Sequence, residues 1–100
     1  MVCYHIAMSI IAKHLTMKGR VQGVYYRGWT VETATSLGLT GWVRNRMNGD
    51  VEAIIQGECE AVERMMALVW SGPPAARVDE VLIEDRVLTE LVKFDQYPTL

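Results

Sequence analysis

From Ala12 to Val21 apolar and polar positions alternate. Leu15, Met17 and Gly19 fall on one side; His14, Thr16 and Lys18 fall on the other. A period of two with one polar face predicts a half-buried β-strand. Between Tyr26 and Leu37 the period changes. Tyr26, Trp29, Thr33 (through its methyl), Ala34 and Leu37 recur at helical spacing, and Gly38 follows as a stop. Two further strand-like runs, Thr40 to Asn45 and Asp50 to Gln56, flank Arg46-Met47-Asn48-Gly49. Asn-Gly between such runs predicts a hairpin, since both residues tolerate positive φ. Glu60 to Trp70 reads as a second helix, with Ala61, Val62, Met65, Met66 and Val69 on one face. Glu58 and Glu60 near its start suit the helix dipole, and Ser71-Gly72-Pro73-Pro74 ends it. Val78 to Asp85 is strand-like, with Val81 and Ile83 on one side, and Leu91 to Tyr97 forms a short final strand limited by Pro98.

The order is therefore strand, helix, strand, strand, helix, strand, with one extra short strand. Each helix has one apolar stripe to bury. Packing both on one face of a mainly antiparallel sheet satisfies the pattern, which is the α+β class and the split βαβ arrangement of ferredoxin-like folds. A chain of 100 residues is one domain by length. That domain is expected over 12–98, with 1–11 a disordered leader and Met1 to Ala7 dispensable.

No apolar stretch approaches the roughly 18 to 20 residues needed to span a membrane. The apolar start lacks the basic region and cleavage site of a signal peptide, so a cytoplasmic location is expected. Cys3 and Cys59 have no metal spacing and are read as reduced thiols. His5 and His14 are too few for a histidine-based metal site. The net charge of −2 suggests no general affinity for nucleic acid. Its distribution is uneven: Lys13 to Arg46 holds six bases and one acid, a balance of +5, and the rest carries −7. A positive segment attracts anionic small molecules.

That segment contains Gly19-Arg20-Val21-Gln22-Gly23-Val24-Tyr25-Tyr26-Arg27. A strand ends there, two glycines bracket a short loop, and a helix begins with an arginine at its start. Backbone N–H groups at a helix N-terminus have no intrahelical partner, and the helix dipole adds partial positive charge. Glycine lets the chain turn several N–H groups inward. Arginine adds a planar fork of donors matched to phosphate.

Three segments carry a resemblance to the acylphosphatase family: GRVQGVYYR at Gly19 to Arg27, LGLTGWVRN at Leu37 to Asn45, and SGPPAARVD at Ser71 to Asp79. The first two, in this order and spacing, are specific, and the likeness covers roughly Ala12 to Tyr97. It implies hydrolysis of acyl phosphates to a carboxylate and inorganic phosphate, with no metal, no cofactor and no covalent intermediate. By the same resemblance the backbone amides of Gln22, Gly23, Val24, Tyr25, Tyr26 and Arg27, with the Arg27 side chain, hold the phosphate. Asn45 positions the attacking water. The partner implied is a small-molecule acyl phosphate, with no nucleic acid, no membrane and a monomeric protein. In bland readings Trp29, Trp42, Met65 and Met66 are core residues, Tyr25 and Tyr26 are packing residues, and Arg20 and Arg44 are solvated. One rival is a binding module that keeps the pocket without turnover; another is an acylphosphatase-like domain of a larger hydrogenase-maturation protein. A third, an RNA-binding ferredoxin-like domain, needs aromatics on two central strands, and Ala12 to Val21 offers none.

Overall fold

The computed structural model describes residues 9–100. Its elements are β1 (Ile10–Arg20), α1 (Tyr26–Ser36), β2 (Thr40–Asn45), β3 (Val51–Glu58), α2 (Cys59–Leu68), β4 (Arg77–Arg86) and β5 (Phe94–Gln96). The five strands form one sheet in the order β4-β1-β3-β2-β5. Every pairing is antiparallel except β2 with β5, which is parallel. The expected α+β ferredoxin-like architecture is the one observed.

Alternation along the strands decides which face the helices cover. Leu15 and Met17 of β1, Val43 of β2, and Val51, Ala53 and Ile55 of β3 are buried together with Tyr26 and Ala34 of α1 and Val62 and Met65 of α2. Each fully buried aliphatic side chain contributes about 1.5–3 kcal/mol relative to exposure. The opposite face carries the intervening polar positions. There His14 bonds Glu52 at 2.8 Å, and Glu52 also receives Arg46 at 3.1 Å.

Several boundaries and roles differ from the sequence reading. β1 begins at Ile10, two residues ahead of Ala12, because Ile10 and Ile11 pair with Glu58 and Gly57 of β3. Of the leader expected over 1–11, residues 1–8, including the segment Met1 to Ala7 expected to be dispensable, lie outside the described residues. Cys59 opens α2; Cys3, the other cysteine expected as a reduced thiol, lies outside the described residues. Trp42 is not a core residue. It stacks on Tyr97 with ring centroids 5.4 Å apart, and the Arg44 guanidinium lies 4.7 Å from its centroid. Arg44 is accordingly covered by rings rather than solvated.

The hairpin expected between β2 and β3 is present, with Asn45 paired to Val51. Only Gly49 takes positive φ, at 100°; Asn48 does not. Gly49 N–H donates to Arg46 O at 3.1 Å and Arg46 N–H to Asp50 O at 2.8 Å. This is a turn closed by one left-handed glycine, a common alternative to the two-residue hairpin. Asn48 contributes through its side chain, whose Oδ1 accepts from Asp50 N–H at 3.0 Å.

Candidate active site

The link from β1 to α1 is a short loop whose backbone turns twice into the left-handed region, at Gly23 (φ 74°) and at Tyr25 (φ 67°). Glycine adopts that region freely, whereas tyrosine does not. Tyr25 is the N-cap of α1, yet it makes no side-chain cap, and no acid stands in the first turn. The helix start therefore lacks both features that usually neutralise it. None of the backbone N–H groups of Gln22 through Arg27 donates to another described protein atom. Six donors and a dipole end are left for an outside acceptor.

A cavity of about 170 Å³ opens over this helix start. Gly23, Tyr25, Arg27 and Gly28 line it from the loop and the first turn, with Asn45 at the end of β2 and Gln96 at the end of β5. Tyr26 also borders it, but its ring is core. Burial pushes the phenol's pKa up, and the hydroxyl donates to Val69 O. Arg27 and Asn45, 18 residues apart in sequence, thus share one cavity. Arg27 makes no ion pair and no side-chain hydrogen bond among the described residues. Asn45 is 8% exposed, and its Oδ1 is buried without a hydrogen-bond partner. A buried amide oxygen with no partner costs about 1–3 kcal/mol unless a water or ligand meets it. Here the cavity provides the space for one, since a water takes about 30 Å³.

Two of the expected loop residues do not line the cavity. Val24 is 7% exposed and joins the core. Gln22 turns its side chain away and donates through Nε2 to Arg46 O at 2.7 Å and Asp50 O at 2.9 Å. Only their backbone amides belong to the loop's donor set. Tyr25 corrects the packing expectation, being 63% exposed at the cavity mouth. Gln96 is a lining residue the sequence reading missed. Nothing in the pattern of Leu91 to Tyr97 reveals that this strand lies parallel to β2 and opposite Val43.

The positive segment is largely neutralised by the fold. Lys13 pairs with Asp85, Lys18 with Asp50 at 2.7 Å, and Arg44 and Arg46 with Glu52 at 3.7 and 3.1 Å. The hydrogen bond to Asp50 raises the Lys18 pKa. Of the six bases only Arg20 and Arg27 stay unpaired among the described residues, and of these two Arg27 reaches the cavity. The attraction for anions is focused at one point rather than spread along a segment. Chemically, the arrangement suits a tetrahedral oxyanion held by amides and one guanidinium, with an amide oxygen aimed at a neighbouring water.

The acylphosphatase family model matches residues 13–95. An acylphosphatase of Rhodospirillum rubrum is 51% identical over 84 residues, covering 84% of this chain and 92% of that one. Another, of Rhizorhabdus wittichii, is 49% identical and covers 90% of this chain and 91% of its own length. A solved acylphosphatase structure from Coxiella burnetii superposes with a TM-score of 0.86 at 36% identity, over 88% of this chain and 93% of that one. With a family model spanning most of its length and relatives near half identical, this chain belongs to the acylphosphatase family.

Proposed function

We propose that this chain hydrolyses acyl phosphates by direct in-line attack of a water held by Asn45 on a phosphoryl group held by Arg27 and the amides of Gln22 to Arg27. Acyl-phosphate hydrolysis is the activity of the family to which the chain belongs. The residue roles rest on one observation above the others. A buried, unpartnered Asn45 Oδ1 opens into the same cavity as an unpaired arginine and a row of free N–H groups.

The chemistry follows from those groups. The guanidinium and amides bind the phosphoryl oxygens, and their hold strengthens as charge redistributes in the transition state. Asn45 Oδ1 accepts a hydrogen bond from water and points its oxygen at phosphorus. Attack forms the new P–O bond and breaks the bond to the acyl oxygen, which departs as a carboxylate. A leaving group already stable as an anion needs no acid beside it. The attacking water's proton passes to a phosphoryl oxygen, giving inorganic phosphate. Among the described residues no three His, Cys, Asp or Glu side chains come together as metal ligands. The positive charge in this scheme comes from Arg27 and the helix end. The acyl part leaves the cavity past Gln96 and Tyr25, where the Gln96 carboxamide can meet the acyl carbonyl. The protein acts as a cytoplasmic monomer on a small-molecule substrate.

The test is phosphate release from a model acyl phosphate with chelator present, on wild type, Arg27→Ala and Asn45→Ala. Arg27→Ala is expected to lose phosphate affinity and about 100- to 1,000-fold in turnover. Asn45→Ala is expected to bind inorganic phosphate normally while kcat falls about 100-fold. Wild-type turnover in either variant overturns the assignment, and loss of wild-type activity with chelator overturns the metal-free route.

A further inference from the structure

Tyr25 is the one non-glycine residue with positive φ among the described residues. A bulky side chain in the left-handed region is strained, so something must hold it there. Two contacts of its own ring do so. The ring lies against Gly28, one turn into α1: a Cβ at Gly28 would stand 2.3 Å from Tyr25 Cε1 and 2.4 Å from Cζ. The hydroxyl then reaches one turn further and donates to Glu32 Oε2 at 2.8 Å. Gly28 and Glu32 are four residues apart on the helix and share a face, so the ring and its hydroxyl meet them in line. The hydrogen bond to the Glu32 carboxylate also raises the phenol's pKa.

From this geometry we infer that Tyr25, Gly28 and Glu32 form a clasp that positions the anion-holding loop. Neither the Tyr25 hydroxyl nor Glu32 touches the substrate in this scheme. They act by holding the left-handed turn at the N-cap, which sets the direction of the Tyr25, Tyr26 and Arg27 N–H groups. Released from the clasp, Tyr25 relaxes toward negative φ and those amides swing away from a common focus. Gly28 is required for space rather than for backbone freedom, since its φ is not positive. The inference rests on the loop being the phosphate site, and it adds Gly28 and Glu32, which the sequence motif does not include.

The experiment measures inorganic phosphate affinity by calorimetry, together with Tm, on wild type, Tyr25→Phe, Glu32→Ala, Glu32→Gln, Gly28→Ala and Arg27→Ala. Losing one hydrogen bond to a carboxylate at an exposed position predicts about a threefold to tenfold weaker affinity in Tyr25→Phe and Glu32→Ala. Their double variant should show no further loss, because both remove the same interaction. Glu32→Gln keeps an acceptor oxygen and should recover most of the affinity. Gly28→Ala raises helix propensity, so its Tm should not fall. Its Cβ displaces the ring, so phosphate binding should weaken all the same. That split separates loop positioning from helix stability. If Arg27→Ala loses phosphate and Tyr25→Phe with Gly28→Ala binds it like wild type, the clasp is refuted and the site stands. Wild-type affinity in Arg27→Ala refutes the phosphate site and the clasp with it.

Discussion

Gln22 joins the two halves of the site, and replacing it by methionine isolates that role. Methionine keeps the length of the side chain and removes the two donated hydrogen bonds, to Arg46 O at 2.7 Å and Asp50 O at 2.9 Å. Stranding both carbonyls would cost about 1–3 kcal/mol each. They are not stranded, because Arg46 O still accepts from Gly49 N–H at 3.1 Å and Asp50 O from Arg46 N–H at 2.8 Å. The loss is therefore only the net value of two bonds, about 1–2 kcal/mol in total. At about 4–8 °C per kcal/mol for a domain of this size, Tm should drop by roughly 5–15 °C and the protein should stay folded at room temperature. Catalysis should suffer in a particular way. The loop keeps Arg27 and its amides, so phosphate affinity should change less than threefold. The hairpin that follows Asn45 loses its tie to the loop, and loosening a water by a fraction of an ångström to an ångström predicts a kcat fall of about 10- to 100-fold. Steady-state kinetics with calorimetric phosphate titration reads both. A wild-type kcat in Gln22→Met, or a loss of phosphate affinity as large as the loss of kcat, refutes the reasoning.

Gln96→Ala should raise KM for an acyl phosphate severalfold while the inhibition constant of inorganic phosphate stays put, because in the proposed scheme Gln96 meets only the acyl end. Inorganic phosphate at about 100 times its Kd should stabilise the wild type by about 2.7 kcal/mol in thermal melts, and Arg27→Ala should lose that protection. Tyr26→Phe should cost about 1–3 kcal/mol, since Val69 O loses its donor in a buried place. The same residue sets a pH limb. Burial raises its pKa when folded, so the unfolded chain releases this proton first. Its contribution is complete below about pH 10 and falls as pH climbs above that value; urea melts of Tyr26→Phe should lack this part of the alkaline decline.

The strands and helices were legible because each buries one face, and a buried face prints its period on the chain. Leu15 and Met17 announce β1, and Val62 and Met65 announce α2, before any tertiary contact is known. The loop was legible for a different reason, since glycines, an arginine and a helix start are local features. What stayed hidden depends on pairings across the sheet. The neutralisation of Lys18 by Asp50 and of Arg44 and Arg46 by Glu52 arises from strands whose register no single segment encodes. Gln96 enters the cavity only because β5 runs parallel to β2. Trp42 reads as core from its apolarity, which alone does not say which face of a strand a ring takes. Tyr25 reads as a packing residue because a left-handed tyrosine is an exception that local propensity argues against.

The groups assigned to chemistry here are those the fold declines to satisfy. Four of the six bases between Lys13 and Arg46 find an acid, and Arg27 does not. Gln22 spends its side chain on the neighbouring hairpin, while its N–H and the next five remain open. Asn45 is buried at the end of a strand, where a buried amide ordinarily bonds the backbone, and its oxygen is bare. Each vacancy lowers stability in the free protein and, in the proposed mechanism, is relieved when a phosphoryl group and a water arrive. It follows that substitutions which fill the vacancies from within, such as an acid in the first turn of α1, should raise Tm and weaken phosphate binding together. Gly28→Asp compared with Gly28→Asn, which adds the same bulk at a crowded position without the charge, tests that coupling: an aspartate that raises Tm above the asparagine variant and leaves phosphate affinity equal to it would contradict the view that the open helix end is the binding site.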